Sequence, residues 1–242
     1  HSGHPDSAGF QKSMEGYLIF FLFALLAIGL MVLGYFQAEK RKKELAAWAG
    51  QNGFTFDPGK DRSLDERYAD FSCLRSGSDR YAYNLLRGRR DPFPALGFDY
   101  HYETYSTDSK GHQETHHHYF SAMVIETGWP LRPLFIRPEG FFDKLTELLG
   151  FDDIDFESTE FSRSFYVKSP DKKWAYDVLH QKTMEFLLNA PRFTLEFSGN
   201  AVIAYRSSTF ATADFPAALE VIEGILNRFP EYLLREMKGV EP

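Results

Sequence analysis

Hydrophobic positions fall along this chain in three regimes. Residues Tyr17 to Phe36 (YLIFFLFALLAIGLMVLGYF) form an apolar run without a single charge. At 1.5 Å per residue, twenty helical residues span ~30 Å, the hydrocarbon thickness of a bilayer. Only a helix satisfies its own backbone polar groups in lipid without a partner strand. The run predicts one transmembrane helix over 17–36 behind a short tail of 1–16. From Gln37 the pattern turns basic and then apolar (QAEKRKKELAAWAGQ), which predicts a stalk helix over 37–53 stopped near Gly53. Beyond it, 54–242 read as one domain of alternating strand and helix signals.

Within that domain, a short helix is expected over Asp61–Asp70. Arg80–Arg87, Ala95–Tyr105 and His117–Glu126 are rich in aromatic and β-branched residues at strand length. Ser106–Gly111 (STDSKG) is a turn between the last two. Leu134–Arg137 and Phe161–Lys168 read as further strands, and Phe193–Phe197 with Val202–Tyr205 as a hairpin across Ser198–Asn200. Helices are expected over Gly140–Leu149, from Pro170 to about Leu188, over Phe215–Phe229 and over Glu231–Met237. The sum is an α+β fold, a mostly antiparallel sheet with helices packed on one face.

Charge sets the expected topology. Lys40, Arg41, Lys42 and Lys43 follow the apolar run directly, against Lys12 alone on the other flank. Basic residues near a membrane-spanning end stay on the cytoplasmic side, so the tail is expected outside and the domain in the cytoplasm. The same four residues are candidates for contact with anionic lipid headgroups. Of the net charge of −7, residues 45–242 carry −8, which excludes a nucleic-acid partner that needs a basic stripe. Cys73 is the one cysteine; it rules out a disulfide framework and reads as a small buried hydrophobe. The whole chain holds 24 phenylalanines and 13 tyrosines; most read as core, and such aromatic loading is also found at protein interfaces.

Candidate chemistry is sparse. The apolar run holds no His, Asp, Glu, Lys, Arg, Asn or Gln, so it offers no charged relay and no imidazole for a cofactor metal. Its Ala27 and Gly34 lie seven apart, where a partner helix can approach. The sharpest cluster is His112, Glu114, His116 and His118, whose alternation puts all four on one face of a strand. Imidazole and carboxylate are zinc ligands, and His101 with Glu103 lies across the expected hairpin. Arg87, Arg89 and Arg90 make a basic turn that suits lipid phosphate or an acidic surface. Asp152, Asp153, Asp155, Glu157 and Glu160 form an acidic strip without the spacing of a calcium loop. Asp177 and His180 are placed to meet at i, i+3 on a helix. Phosphate-binding, nucleophile-elbow, HExxH and paired CxxC motifs are all missing from the sequence.

Several runs resemble a group of bacterial single-pass membrane-anchored proteins with a cytosolic α+β domain and no assigned activity. They are Ala47–Phe56 (AWAGQNGFTF), Asn84–Gly88 (NLLRG), Phe98–Thr104 (FDYHYET), His116–Phe120 (HHHYF) and Arg137–Leu145 (RPEGFFDKL). Glu157–Val167 (ESTEFSRSFYV) and Trp174–His180 (WAYDVLH) continue the likeness. It implies a bacterial, inner-membrane, cytosol-facing protein and transfers no functional residue.

These features predict a non-enzymatic accessory or scaffolding subunit of a larger membrane complex, a respiratory or photosynthetic assembly being one candidate host. Its partners are membrane lipids and integral membrane proteins, and it needs no cofactor. The alternative is a membrane-tethered zinc-dependent enzyme or ligand sensor built on the His112–His118 hairpin. A third reading is a lipid-surface module using Lys40–Lys43 and Arg87–Arg90.

Overall fold

The computed structural model describes residues 7–140 and 153–239. All but the first residue of the helix expected over Gly140–Leu149 lies outside them. The chain divides into two compact units, 1–44 and 45–242. The first is helical throughout its described part, the bulk of a single helix α1 (Ser7–Gln51) that joins the expected membrane and stalk segments without a break. Its stretch Phe20–Gln51 is long and apolar enough to cross a membrane. The apolar side chains point outward on every side: Phe20 and Met31 are each almost three-quarters exposed.

The second unit is α+β, as the hydrophobic pattern predicts. Among the described residues, six strands form one antiparallel sheet: β1 (Thr55–Asp61), β2 (Ser78–Arg90), β3 (Phe93–Thr107), β4 (Gln113–Pro138), β5 (Phe165–Lys168) and β6 (Thr194–Arg206). β1 to β4 lie side by side in chain order. The long β4 then pairs with β6 along its second edge, and its end takes β5 on the other. Alternation along the strands builds two cores. Leu86, Ala95, Met123, Ile125, Val202 and Ala204 face α4 (Lys172–Val178), α5 (Gln181–Asn189), α6 (Asp214–Leu226) and α7 (Glu231–Lys238). Leu85, Leu96, Phe98, Phe120, Val124 and Ile203 face the other way, onto a smaller layer of α2 (Leu64–Arg67) and a 3₁₀ turn (Ser72–Leu74). The main helices thus sit on one face as expected, and the second face has its own cover. Cys73 lies buried in that cover, as a small hydrophobe should.

The stalk's last two turns belong to the domain. Leu45 and Ala49 are fully buried in the helical-face core, and the Trp48 ring packs on Phe54 and Phe215 at 5.1 and 6.1 Å.

Four local expectations need correction. Thr55–Asp61 is a strand that the pattern does not announce: it is an edge strand with no buried residue, so no alternation marks it. Phe161–Lys168 is half helix, because Ser158 Oγ accepts the Phe161 amide and caps α3 (Thr159–Ser164) before β5 begins. The helical stretch from Pro170 breaks into α4 and α5 at His180, whose extended backbone starts a new helix. The expected hairpin over 193–205 is instead one strand, β6 (Thr194–Arg206). Gly199 adopts φ 59° opposite Leu131, where the β4–β6 register shifts around Gly128, Pro130 and Pro133. Proline has no N–H to give to a ladder, so the pairing is interrupted there and resumes at Leu134.

Candidate functional site

β3 and β4 pair without a register shift from Ala95↔Ile125 to Thr107↔Gln113. That register decides which polar side chains share a face. Opposite Tyr119 stands His101, and opposite His117 stands Glu103, all on the face that bears the main helices farther along the sheet. His116 and His118 stand opposite Thr104 and Tyr102, on the other face.

The sequence-predicted quartet is therefore spread out. His112 lies in the turn, where its ring bonds Asp108 at 3.0 Å. The His112 and Lys110 backbone amides also reach Asp108, and this holds its carboxyl below the usual carboxylate range. His116 Nε2 meets Ser106 Oγ at 2.7 Å, and His118 Nε2 meets Thr104 Oγ1 at 2.8 Å. Glu114 comes no nearer than 4.0 Å to His116. Instead, the described residues bring His101, Glu103 and His117 together, with one donor atom from each within 4.8 Å of the others. Two members of this trio were visible as residues across the hairpin. Its membership was not, because it depends on the turn length that fixes the register.

The trio is held from several sides. His101 is 2% exposed, its ring stacked on Tyr81 at 4.6 Å and tilted against Tyr119 at 4.9 Å. Its Nδ1 donates to the Asp79 carbonyl at 3.2 Å, and its Nε2 faces His117 Nδ1 at 3.1 Å. Glu103 Oε1 lies 3.3 Å from the same His117 nitrogen, while Oε2 accepts the Tyr105 hydroxyl at 3.0 Å. Burial raises the Tyr119 phenol above its ordinary range. The His117 side chain is half exposed and leaves the cluster open on one side.

Two buried polar clusters escaped the sequence. Asp99 accepts the Asn84 amide at 2.8 Å and the Ser121 hydroxyl, while Ser121 Oγ receives the Phe210 amide at 2.8 Å. Asn84 holds φ 52° to reach it. On the opposite face, Glu196 accepts the Ser72 amide and hydroxyl and the Tyr205 hydroxyl. Burial pushes its carboxyl up, against those hydrogen bonds. Both clusters tie distant segments together; neither opens to solvent. A groove of about 640 Å³ runs beside α5 and α6, lined by Lys182, Phe186 and Arg228 among others.

The other candidates are spoken for structurally. Arg90 makes two 2.8 Å bonds to Glu223, Arg87 lies 3.8 Å from Asp61, and Arg89 reaches the Pro92 carbonyl. Asp177 takes Lys173 and Tyr232, while His180 Nε2 donates to the Arg228 carbonyl at 2.7 Å, so the expected Asp177–His180 pair does not form. Of the acidic strip, Asp152 lies outside the described residues; Asp153 forms an isolated backbone β-bridge with Lys168, and the Asp155 carbonyl accepts from Tyr176. In the first unit, Lys42 pairs with Glu39 at 2.8 Å and Lys40 with Glu44 at 3.7 Å.

A scan against protein-family models and a search of curated proteins matched nothing. Among solved structures, the chain is similar to the mycobacterial trehalose monomycolate transport factor A, TtfA, at a TM-score of 0.56 and 12% identity. The match covers 78% of this chain and 96% of that one. At that identity the likeness is one of fold.

Proposed function

We propose that this protein is a non-enzymatic accessory subunit of a larger bacterial membrane assembly. α1 fixes it in the inner membrane with the tail outside, and the α+β domain braces the cytoplasmic face of its partner. The observation that carries the reading is the surface of α1: from Phe20 to Phe36 its apolar side chains are turned outward all round. Such a surface asks for lipid or for a neighbouring helix. Gly29 and Gly34 have open space where a Cβ would stand, which suits close approach of a second helix beside Ala27.

Lys40 to Lys43 support the orientation, since a net positive flank is retained in the cytoplasm. They also supply the contact with anionic headgroups. The non-enzymatic reading rests on a sequence without catalytic signatures. The shared fold with a protein described as a transport factor favours a host assembly concerned with transport over a respiratory or photosynthetic one.

Extraction of native membranes in a gentle detergent, followed by sizing and identification of bound proteins, tests this. The expected result is co-migration with at least one integral membrane protein, lost when Ala27→Leu and Gly34→Leu are combined. A chain that always runs alone, at its own 27.9 kDa plus detergent, contradicts the proposal.

A further inference from the structure

From the turn-proximal half of the β3–β4 hairpin, we infer that His101, Glu103 and His117 bind a divalent transition-metal ion of the zinc class. This goes beyond the accessory role and stands or falls separately from it.

Distances carry the first part of the argument. Donors of a tetrahedral site with bonds of about 2.0–2.1 Å stand about 3.3 Å apart. The His101 Nε2–His117 Nδ1 and His117 Nδ1–Glu103 Oε1 separations are 3.1 and 3.3 Å. All three donors lie within 4.8 Å of one another, so closing the triangle asks for side-chain rotation and no change of register. Three protein ligands leave a fourth position for water on the exposed side of His117, the arrangement of an open zinc site.

The outer contacts carry the second part. A carbonyl oxygen only accepts, so the Asp79 carbonyl fixes the proton of His101 on Nδ1 and turns the Nε2 lone pair toward His117. Metal-ligating histidines are oriented in this way. Tyr105 occupies the second carboxylate oxygen of Glu103 and leaves Oε1 for the ion. The Asp79 carbonyl is delivered by a tight loop. Gly77 adopts φ 60°, and a Cβ there would stand 2.1 Å from the Glu103 carbonyl oxygen. Arg80 holds the Gly77 carbonyl, and Arg62 holds the Asp79 carboxylate at 2.7 Å. The loop thus presses against the strand that carries two of the ligands.

Ligand chemistry selects the ion. Two imidazoles and one carboxylate suit zinc, cobalt, nickel or copper, whereas magnesium and calcium prefer all-oxygen shells. Binding joins the β2 approach loop, β3 and β4 through one centre. Both imidazoles must be unprotonated on the ligating nitrogen, so affinity falls as the medium is acidified.

The test uses the full-length, tag-free chain in detergent, stripped of metal and titrated with Co²⁺ and then Zn²⁺. The expected result is one Co²⁺ per chain with the intense visible absorption of a four- or five-coordinate site, displaced by Zn²⁺. His117→Ala should weaken Zn²⁺ binding about 100-fold or more, and Tyr105→Phe about 10-fold at unchanged stoichiometry. His116→Ala and His118→Ala, on the opposite face, should leave it unchanged. Unfolding midpoints of all four variants confirm that each is folded. Absence of stoichiometric Co²⁺ binding overturns the inference, as does an equal loss in His116→Ala or His118→Ala, or unaltered binding in His117→Ala.

Discussion

The Glu196 carboxylate lies 2.7 Å from the Ser72 backbone amide, fully buried, although 124 residues separate them in the chain. The contact staples the 3₁₀ turn Ser72–Leu74 to β6, and with it the small layer that covers the second face of the sheet. A carboxylate taken out of water this completely is costly unless its oxygens are all engaged, which is why two hydroxyls and an amide converge on it.

That contact makes stability depend on pH in a defined direction. Burial raises the Glu196 carboxyl above its unfolded value, so the folded state holds the proton more tightly. The associated stability is complete below the ordinary carboxylate range and is lost as pH rises through the raised value. Glu196→Gln, whose amide can still meet Ser72 and Tyr205, should therefore gain on the wild type steadily as pH increases. Glu196→Ala strands three donors and should cost about 2–3 kcal/mol. Urea denaturation at a series of pH values measures both; a wild type and Glu196→Gln with parallel pH profiles would contradict the assignment.

α5 and α6 meet at a glycine. A Cβ on Gly224 would stand 2.1 Å from the Phe186 ring, which is also covered by the Arg228 guanidinium at 4.2 Å. Gly224→Ala gains about 1 kcal/mol of helix propensity but overpacks a held aromatic, at a cost of about 1–3 kcal/mol. Overpacking should win, giving a lower denaturation midpoint. Adding Phe186→Leu should recover most of the loss. Unchanged stability in the single variant would show that the two helices separate freely.

The domain's boundary should be measurable. Leu45 and Ala49 are core residues and Trp48 packs on two phenylalanines, so a chain beginning at Leu45 should be soluble without detergent and unfold cooperatively. Starting at Phe54 removes these side chains and should cost about 3–5 kcal/mol, by analogy with large-to-small core changes. Equal denaturation midpoints for the two truncations would place α1 outside the domain's core.

Much of this architecture is legible from the residues, and the failures share a cause. The membrane-length run, the β3–β4 hairpin and helices α6 and α7 announce themselves because each buries a regular face or exposes a long apolar one. β1 does not, since Asp57, Pro58, Gly59 and Lys60 are all exposed and its register on β2 shifts across Pro58 and Gly59. β6 reads as two strands because Ser198–Asn200 has the composition of a turn; tertiary pairing with β4 overrides it at Gly199. The histidines are the most instructive case. Alternation places His116 and His118 on one face correctly, yet the partners of His101 follow from the hairpin's register, which local composition leaves open. Glu196 and Ser72 meet only because the fold brings β6 under the 3₁₀ turn, and no spacing in the chain foretells that.

The most direct test of the whole account is protease accessibility in intact spheroplasts. The region from Phe54 to Pro242 should survive added protease until the inner membrane is permeabilised, and then be cut. Digestion of that region in intact spheroplasts would place the domain on the wrong side of the membrane and contradict the proposed role.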